Sequence, residues 1–316
     1  ILDENGAYLS QFGSRGSGDG EFSSPTGIAV SSSYVYVAEY SGSRRIQIFR
    51  HDGTFVSSFG GFGLGDGQFV GPVGMAYSRA YGRLAIADVG KQDVQVFTSD
   101  GTFIFAISGL GAPFGVGEYD GNIYVSDMMS HTVTIYSWED GSVVGSFGSY
   151  GTGDGEFAGP LDVTSSSDYL FVADYGNHRV QVFDMDGVYI TEYGSLGTGV
   201  NNLNYPSSIA SLPGLSYLVI YDSGNYRILI RNADDLSFIS KHGSGGSWSG
   251  TDPHMANDLS HIDNVIFVTF PLSYRVDRYD TDMLVQGSFV VKNTALTSHP
   301  PAPYSITGIS DGTHTI

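Results

Sequence analysis

The chain has 316 residues, 33 acidic against 14 basic, a formal charge of −19, 44 glycines, 21 tyrosines, 19 phenylalanines and no cysteine. That balance argues against a nucleic-acid partner, because non-specific affinity for a phosphate backbone comes from lysine and arginine and no basic run occurs anywhere. It also excludes disulfides, thiolate metal sites and thiol catalysis, and no segment approaches the roughly 20 apolar residues of a membrane-spanning helix.

The first residues, ILDENGAYLSQFG, read as the end of one strand, a turn and a second strand, with neither the charged nor the apolar region of a secretory signal. From there a proline opening an apolar strand recurs at Pro25, Pro72, Pro113, Pro160, Pro206 and Pro303, at intervals of 47, 41, 47, 46 and 97 residues. The last interval spans two repeats, and the missing start falls near Ala256, where NDLSHIDNVIFVTF supplies the strand pair without the proline. Each unit runs through four strands, here called A to D. After Pro160 they appear as LDVTSS, then YLFVADYGNHRVQVF, then DMDGVYITEYG. Alternating β-branched and aromatic residues mark them as strands. Four short strands in about 45 residues make the blade of an all-β propeller of four-stranded antiparallel sheets around a central channel.

The C-to-D turns carry Asp-Gly, as at Asp52-Gly53, Asp100-Gly101 and Asp186-Gly187, the pairing that supplies positive φ in a tight hairpin. A glycine-rich segment joins D to the next A: GSGDGEF, GLGDGQF, GTGDGEF and, less regularly, GTGVNNL. Each copy leads into a strand, so it is not a phosphate loop, which must open a helix. From Pro303 the tail gives a strand A and most of a strand B, while Ile1 aligns with a point midway along a strand C. Residues 1–24 are therefore expected to complete the last blade, in a single domain over residues 1–316 with starts near 25, 72, 113, 160, 206, 256 and 303. The count is seven blades, with six as the alternative, and the ring is expected to close through one composite blade from both terminal segments. A terminus in mid-strand also leads to the expectation that the native polypeptide is longer than these residues.

The recurring pattern P-x-G-[IV]-A-V, [YF]-V-A-[DE], N-H-R-V-Q-V-F and D-G-x-[FY] resembles the NHL repeat family, in register over nearly the whole chain. The resemblance implies a propeller, commonly of six blades. Among similar propellers are peptide-amidating lyases, with histidines holding a metal over the channel, and some relatives bind RNA.

Strand B ends in a carboxylate in five units, at Glu39, Asp88, Asp127, Asp174 and Asp222. Three of these face an arginine across the hairpin, giving the expected structural pairs Glu39 with Arg45, Asp174 with Arg179 and Asp222 with Arg227. Repetition around a ring favours structure over chemistry, since catalytic groups are singular. The breaks, Asp88 facing Asp93, Asp127 facing Thr132, and Phe270 where the acid opposite Arg275 should be, are the better functional leads. The histidines, His51, His131, His178, His242, His254, His261, His299 and His314, do not converge as zinc ligands, because only His261 lies in a strand A. Calcium is left open by Asp19, Asp66 and Asp154 in identical loops, though one carboxylate per loop is few for a hard cation. No catalytic motif occurs, so no catalytic or metal residue and no cofactor is assigned.

Side chains just beyond strand B, Tyr40, Met128, Met129, Tyr175, Tyr226, Phe270 and Tyr274, put aromatic and methionine surface on the face carrying the B-to-C and D-to-A loops. That face is the expected binding surface for a protein, glycan or assembly partner, against the plain alternative that these residues cap the core between blades. The expected function is a non-enzymatic binding or scaffolding module outside the cell or on a particle surface, without nucleic acid or membrane insertion. Its rival is a metal-dependent propeller enzyme, a lyase or lactonase, with a site at the channel.

Overall fold

The computed structural model describes residues 8–242, 258–262, 265–270 and 275–280, and within them every regular element is a strand apart from three short 3-10 turns. β1 (Tyr8–Phe12) precedes the first complete blade, formed by β2 (Pro25–Val30), β3 (Val35–Glu39), β4 (Arg45–Phe49) and β5 (Phe55–Gly60). Blade two comprises β6 (Pro72–Ser78), β7 (Arg83–Asp88), β8 (Asp93–Thr98) and β9 (Phe103–Ser108), and blade three β10 (Pro113–Tyr119), β11 (Asn122–Asp127), β12 (Thr132–Ser137) and β13 (Val143–Phe147). Blade four follows with β14 (Pro160–Ser165), β15 (Leu170–Asp174), β16 (Arg179–Phe183) and β17 (Tyr189–Tyr193), and blade five with β18 (Pro206–Leu212), β19 (Tyr217–Asp222), β20 (Arg227–Asn232) and β21 (Phe238–His242). Blade six is built from β22 (Leu259–Ile262), β23 (Val265–Phe270) and β24 (Arg275–Asp280), with β1 as its outer strand.

The described residues thus form six four-stranded antiparallel sheets, which corrects the expectation of seven. β22 packs against β18 on one side and β2 on the other, so blades six and one are neighbours. The cores agree: six apolar clusters each straddle two adjacent blades, the last joining Phe22, Ile28, Val37 and Phe49 to Phe267 and Val276. The physical reason is the partner that β1 selects. It pairs with β24, Phe12 opposite Val276 and Gln11 opposite Asp277, and so completes the unit that starts near Ala256. The repeat start at Pro303 lies outside the described residues.

β1 does what β5 and β13 do as D strands. In three places a strand D phenylalanine packs on a strand C phenylalanine of the next blade: Phe12 on Phe49 at 4.8 Å between ring centroids, Phe59 on Phe97 at 5.0 Å and Phe147 on Phe183 at 4.8 Å. A third ring from the D-to-A loop, Phe22, Phe69 or Phe157, completes each group and is fully buried. Aromatic burial of this size is a large part of the free energy of these three blade interfaces. Strand B is buried throughout in blades one and four and, in blades two and three, everywhere but its first residue, while β5, β13 and β17 are largely exposed along the rim.

Candidate binding face and channel throat

The carboxylate that ends strand B in blades one to five fastens the loop entering strand A of its own blade. Glu39 accepts the Ser23 N–H at 2.8 Å, Asp88 those of Val70 and Gly71 at 2.7 Å, Asp127 those of Gly111 and Ala112 at 2.6 and 2.9 Å, Asp174 that of Ala158 at 2.8 Å, and Asp222 that of Asn204 at 2.6 Å. Arginine adds a second hold in three blades: Arg45 Nε donates to Glu39 at 2.6 Å, Arg179 Nε to Asp174 at 2.8 Å and Arg227 Nε to Asp222 at 2.6 Å. Each guanidinium also donates to carbonyls of the D-to-A loop, as Arg179 does to Gly153 and Glu156, both at 2.8 Å.

Where the arginine is missing, backbone amides replace it. Asp88 also accepts the N–H groups of Gly90 and Lys91, and Asp127 those of Met129 and Ser130. Burial would push Asp127 up, but the amides of Ser130, Ala112 and Gly111 outweigh it and hold the carboxyl below its ordinary value. Asp93, opposite Asp88, lies 3.2 Å from Lys91 Nζ, and burial raises its pKa. The breaks in blades two and three therefore have structural partners. The side chains of Phe270 and Arg275 lie outside what is described.

A buried glutamine in the middle of strand C clamps the same loop in blades one, two and four. Gln47, Gln95 and Gln181 accept from Gly20, Gly67 and Gly155, each at 2.9 Å, and donate to the carbonyls of Glu21, Gln68 and Glu156. The Gly-Asp-Gly loop and the glutamine of the R-V-Q-V-F run thus belong together. Within these loops Asp19 pairs with Arg45 at 3.4 Å and Asp66 and Asp154 are exposed. Among the described residues no three His, Asp or Glu side chains converge on a metal position.

His131 and His178 brace one blade on the next. Each sits at positive φ, 57°, and its Nδ1 accepts the N–H of the residue before the following strand A proline, Gly159 at 3.0 Å and Tyr205 at 3.1 Å. Burial lowers the pKa of His178, partly offset by Asp174 and Asp222, which favours the neutral ring this bond requires. His51 bonds the Ser31 carbonyl at 2.9 Å, and His261 lines the channel. His254, His299 and His314 lie outside the described residues, as does the side chain of His242.

Of the side chains expected to form the binding face, Met129 is 69% exposed and Met128 36%, but Tyr40, Tyr175 and Tyr226 are half-buried. Tyr40 packs on the core between blades two and three, and Tyr175 on Tyr205 at 4.8 Å. Tyr274 lies outside the described residues. The same face instead exposes Phe62 (66%), Leu64 (78%), Tyr150 (74%) and Leu196 (64%), all from D-to-A loops. Three of these occupy one repeat position, with Arg15 as its copy in the first loop. In each loop that residue bridges a buried residue seven positions on: Arg15 to Phe22, Phe62 to Phe69, Tyr150 to Phe157 and Leu196 to Leu203. The signal was present in the strings FGSRG, FGGFG, FGSYG and YGSLG, whose fourth residue varies most in size and alone in charge.

The channel, expected only as the place of an enzyme's site, holds residues that the sequence does not single out. Its cavity, about 960 Å³, opens toward the A-to-B loops, the face opposite to the one expected, and is lined by Tyr77, Arg79, Glu118, Tyr119, Thr164 and His261 among others. At its throat the third residue of each strand A repeat meets the others: Gly27, Gly74, Gly115, Asp162, Ser208 and Asp258 surround a space of about 20 Å³. Asp162 Oδ2 accepts the Ser208 hydroxyl at 2.9 Å and the Ile209 N–H at 2.8 Å. Asp258 accepts the Ile28 N–H at 2.9 Å on Oδ2, and on Oδ1 the Leu259 N–H at 2.9 Å. Burial pushes Asp162 up to about 7, and burial with the neighbouring Asp162 raises Asp258 well above the carboxylate range.

Comparison with known proteins places this architecture. Residues 157–183, from the loop before β14 to the end of β16, match the NHL repeat model. The Drosophila melanogaster protein brain tumor is 30% identical over 100 residues, 31% of this chain and 10% of that protein. The Caenorhabditis elegans RING finger protein nhl-1 is 38% identical over 66 residues, 21% of this chain and 7% of that protein. The match thus spans a tenth or less of these relatives. Two solved structures are similar in fold alone: streptogramin B lyase (TM-score 0.60, 15% identity, 88% of this chain and 89% of that one) and a protein of unknown function from Bacteroides thetaiotaomicron (0.61, 16%, 86% and 76%). The chain carries an NHL repeat at residues 157–183 within a β-propeller fold.

Proposed function

We propose that this propeller is a non-catalytic binding module that takes a protein partner on the face formed by its D-to-A loops and B-to-C hairpins. One observation carries the reading: a loop frame, held by the strand B carboxylate in four copies and by the strand C glutamine and a buried phenylalanine in three of them, presents one position that changes, Arg15, Phe62, Tyr150 and Leu196, to solvent. A rigid frame with a variable, exposed, mostly apolar position is how recognition surfaces combine low ordering entropy with specificity. Arg44 over the Phe62 ring at 4.5 Å and His131 against Tyr150 at 4.8 Å hold two of these side chains in place. Exposed Asp19, Asp66 and Asp154 beside them favour a partner with basic as well as apolar groups. Absence of cysteine and scarcity of lysine suit a site outside the cell or on a particle surface.

A photo-crosslinking residue placed at Tyr150, with a second protein carrying it at Val188 on the exposed rim, tests this in extract from the source organism. The expected result is a discrete protein adduct from position 150, none from 188, and loss of the adduct in Phe62→Ser/Leu196→Ser. Equal adducts at both positions, a glycan in place of a protein, or indifference to the double substitution would refute it.

A second reading, a lyase or lactonase, draws on the channel cavity with Glu118 and His261 in its wall and on the lyase among the proteins of similar fold. Burial raises Glu118, with Ser78 donating to it at 3.2 Å in opposition. A stoichiometric transition metal in the purified protein would favour this reading over the binding module.

A further inference from the structure

The polar half of the throat spans three successive blade junctions. Asp162 of blade four holds Ser208 and the Ile209 N–H of blade five. Asp258 of blade six approaches Ser208 at 3.3 Å and holds the Ile28 N–H of blade one, the junction at which the ring closes. Thr269 reinforces that junction, its hydroxyl donating to the Thr26 carbonyl at 2.5 Å and accepting the Asp258 N–H at 2.9 Å.

Counting protons constrains what these contacts are. Ser208 Oγ already accepts the Leu259 N–H at 3.2 Å, and its single proton can serve only one of the two carboxyl groups beside it. At 2.9 Å against 3.3 Å it serves Asp162. The contact with Asp258 is then attractive only when Asp258 carries a proton and donates it to Ser208 Oγ; otherwise two oxygens face each other with lone pairs alone.

Among the described residues, the strands neighbouring the throat offer no cation in compensation. β2 presents Thr26 and Gly27, β6 Val73 and Gly74, and β10 Phe114 and Gly115 to the throat, and β18 presents Ser207 and Ser208. Farther along the channel the charged or titratable groups are Tyr77, Arg79, Glu118, Tyr119, Asp120 and His261.

We propose that one proton shared among Asp162, Ser208 and Asp258 locks the propeller ring, and that its loss loosens the junctions between blades five, six and one. The raised folded-state pKa of both acids has the matching sign: their contribution to stability is full below the ordinary carboxylate range and declines as pH rises through about 7. The device is independent of what the loop face binds.

Amide hydrogen exchange of the whole chain, corrected for intrinsic rates, reads it directly. Between about pH 5.5 and about pH 8.5 the protection of the Ile28 and Leu259 amides falls about tenfold or more, one decade for each unit by which the pair is raised. Protection in blade two stays constant. In Asp258→Asn, which is neutral at every pH, the Ile28 profile becomes flat. A flat profile in the wild type, or an Asn variant that follows the wild type, overturns the proposal. Should that variant fail to fold, carboxyl carbon resonances of the wild type decide: a carboxyl still protonated above about pH 6 supports the shared proton, and ordinary titration of all carboxyls overturns it.

Discussion

Gly27, Gly74 and Gly115 stand at the repeat position that Asp162, Ser208 and Asp258 hold on the other side of the channel. In the glycine half the backbones of adjacent A strands close directly on each other: a Cβ on Gly27 would fall 1.7 Å from the Val73 carbonyl oxygen, and one on Gly74 2.2 Å from that of Phe114. In the polar half the space is crossed by side chains that satisfy edge N–H groups of the next strand, Ile209 by Asp162 and Ile28 by Asp258. One position in one fold therefore closes a ring in two ways, by removing bulk or by filling the gap with hydrogen bonds. Only the second way depends on protonation.

The comparison can be broken most severely on the glycine side. Gly27→Ala forces a backbone carbonyl aside, and about 3–5 kcal/mol of stability should be lost in denaturant unfolding, because neither partner is a flexible side-chain tip. Asp162→Ala should cost about 2–4 kcal/mol at about pH 5.5 by leaving Ser208 and the Ile209 N–H unpaired. Its folded pKa is raised to about 7, so the wild-type contribution shrinks as pH rises, and the measured loss should be smaller at about pH 8.5. Ser208→Ala removes the bridge while leaving both acids, and about 1–2 kcal/mol is expected, less than either larger change. Ser207→Ala sharpens the contrast from the other end: its buried hydroxyl has no partner, so stability should stay within about 0.5 kcal/mol or rise slightly. Equal losses for Ser207 and Ser208 would show that the throat is insensitive to hydrogen bonding.

The strands, their order within a blade and the hairpin pairs were legible because each rests on local spacing: alternation, Asp-Gly turns, and a carboxylate five or six residues from its arginine. The blade number was not, because it depends on which distant strand β1 joins, and pairing of Phe12 with Val276 leaves no mark in either segment. The exposed face was half legible. The residues following strand B are expected at the surface, yet Tyr40 packs on the core, Tyr175 on a neighbouring ring, and Tyr226 is half-buried. The throat was hidden for a similar reason. Asp162, Ser208 and Asp258 stand 46 and 50 residues apart, and each taken alone reads as an ordinary polar substitution in a strand.

The register of β1 on β24 also decides how the ring answers to mechanical load. Tyr8 lies opposite Tyr279 at one end of this ladder and Phe12 opposite Val276 at the other, so the segments preceding Tyr8 and following Asp280 leave from the same end. Tension applied through those two segments meets the rungs one after another, beginning at Tyr8, and peels the outer strand away like a zip. A propeller tethered by both flanks would therefore yield first at blade six and at modest force, with its other five sheets still folded.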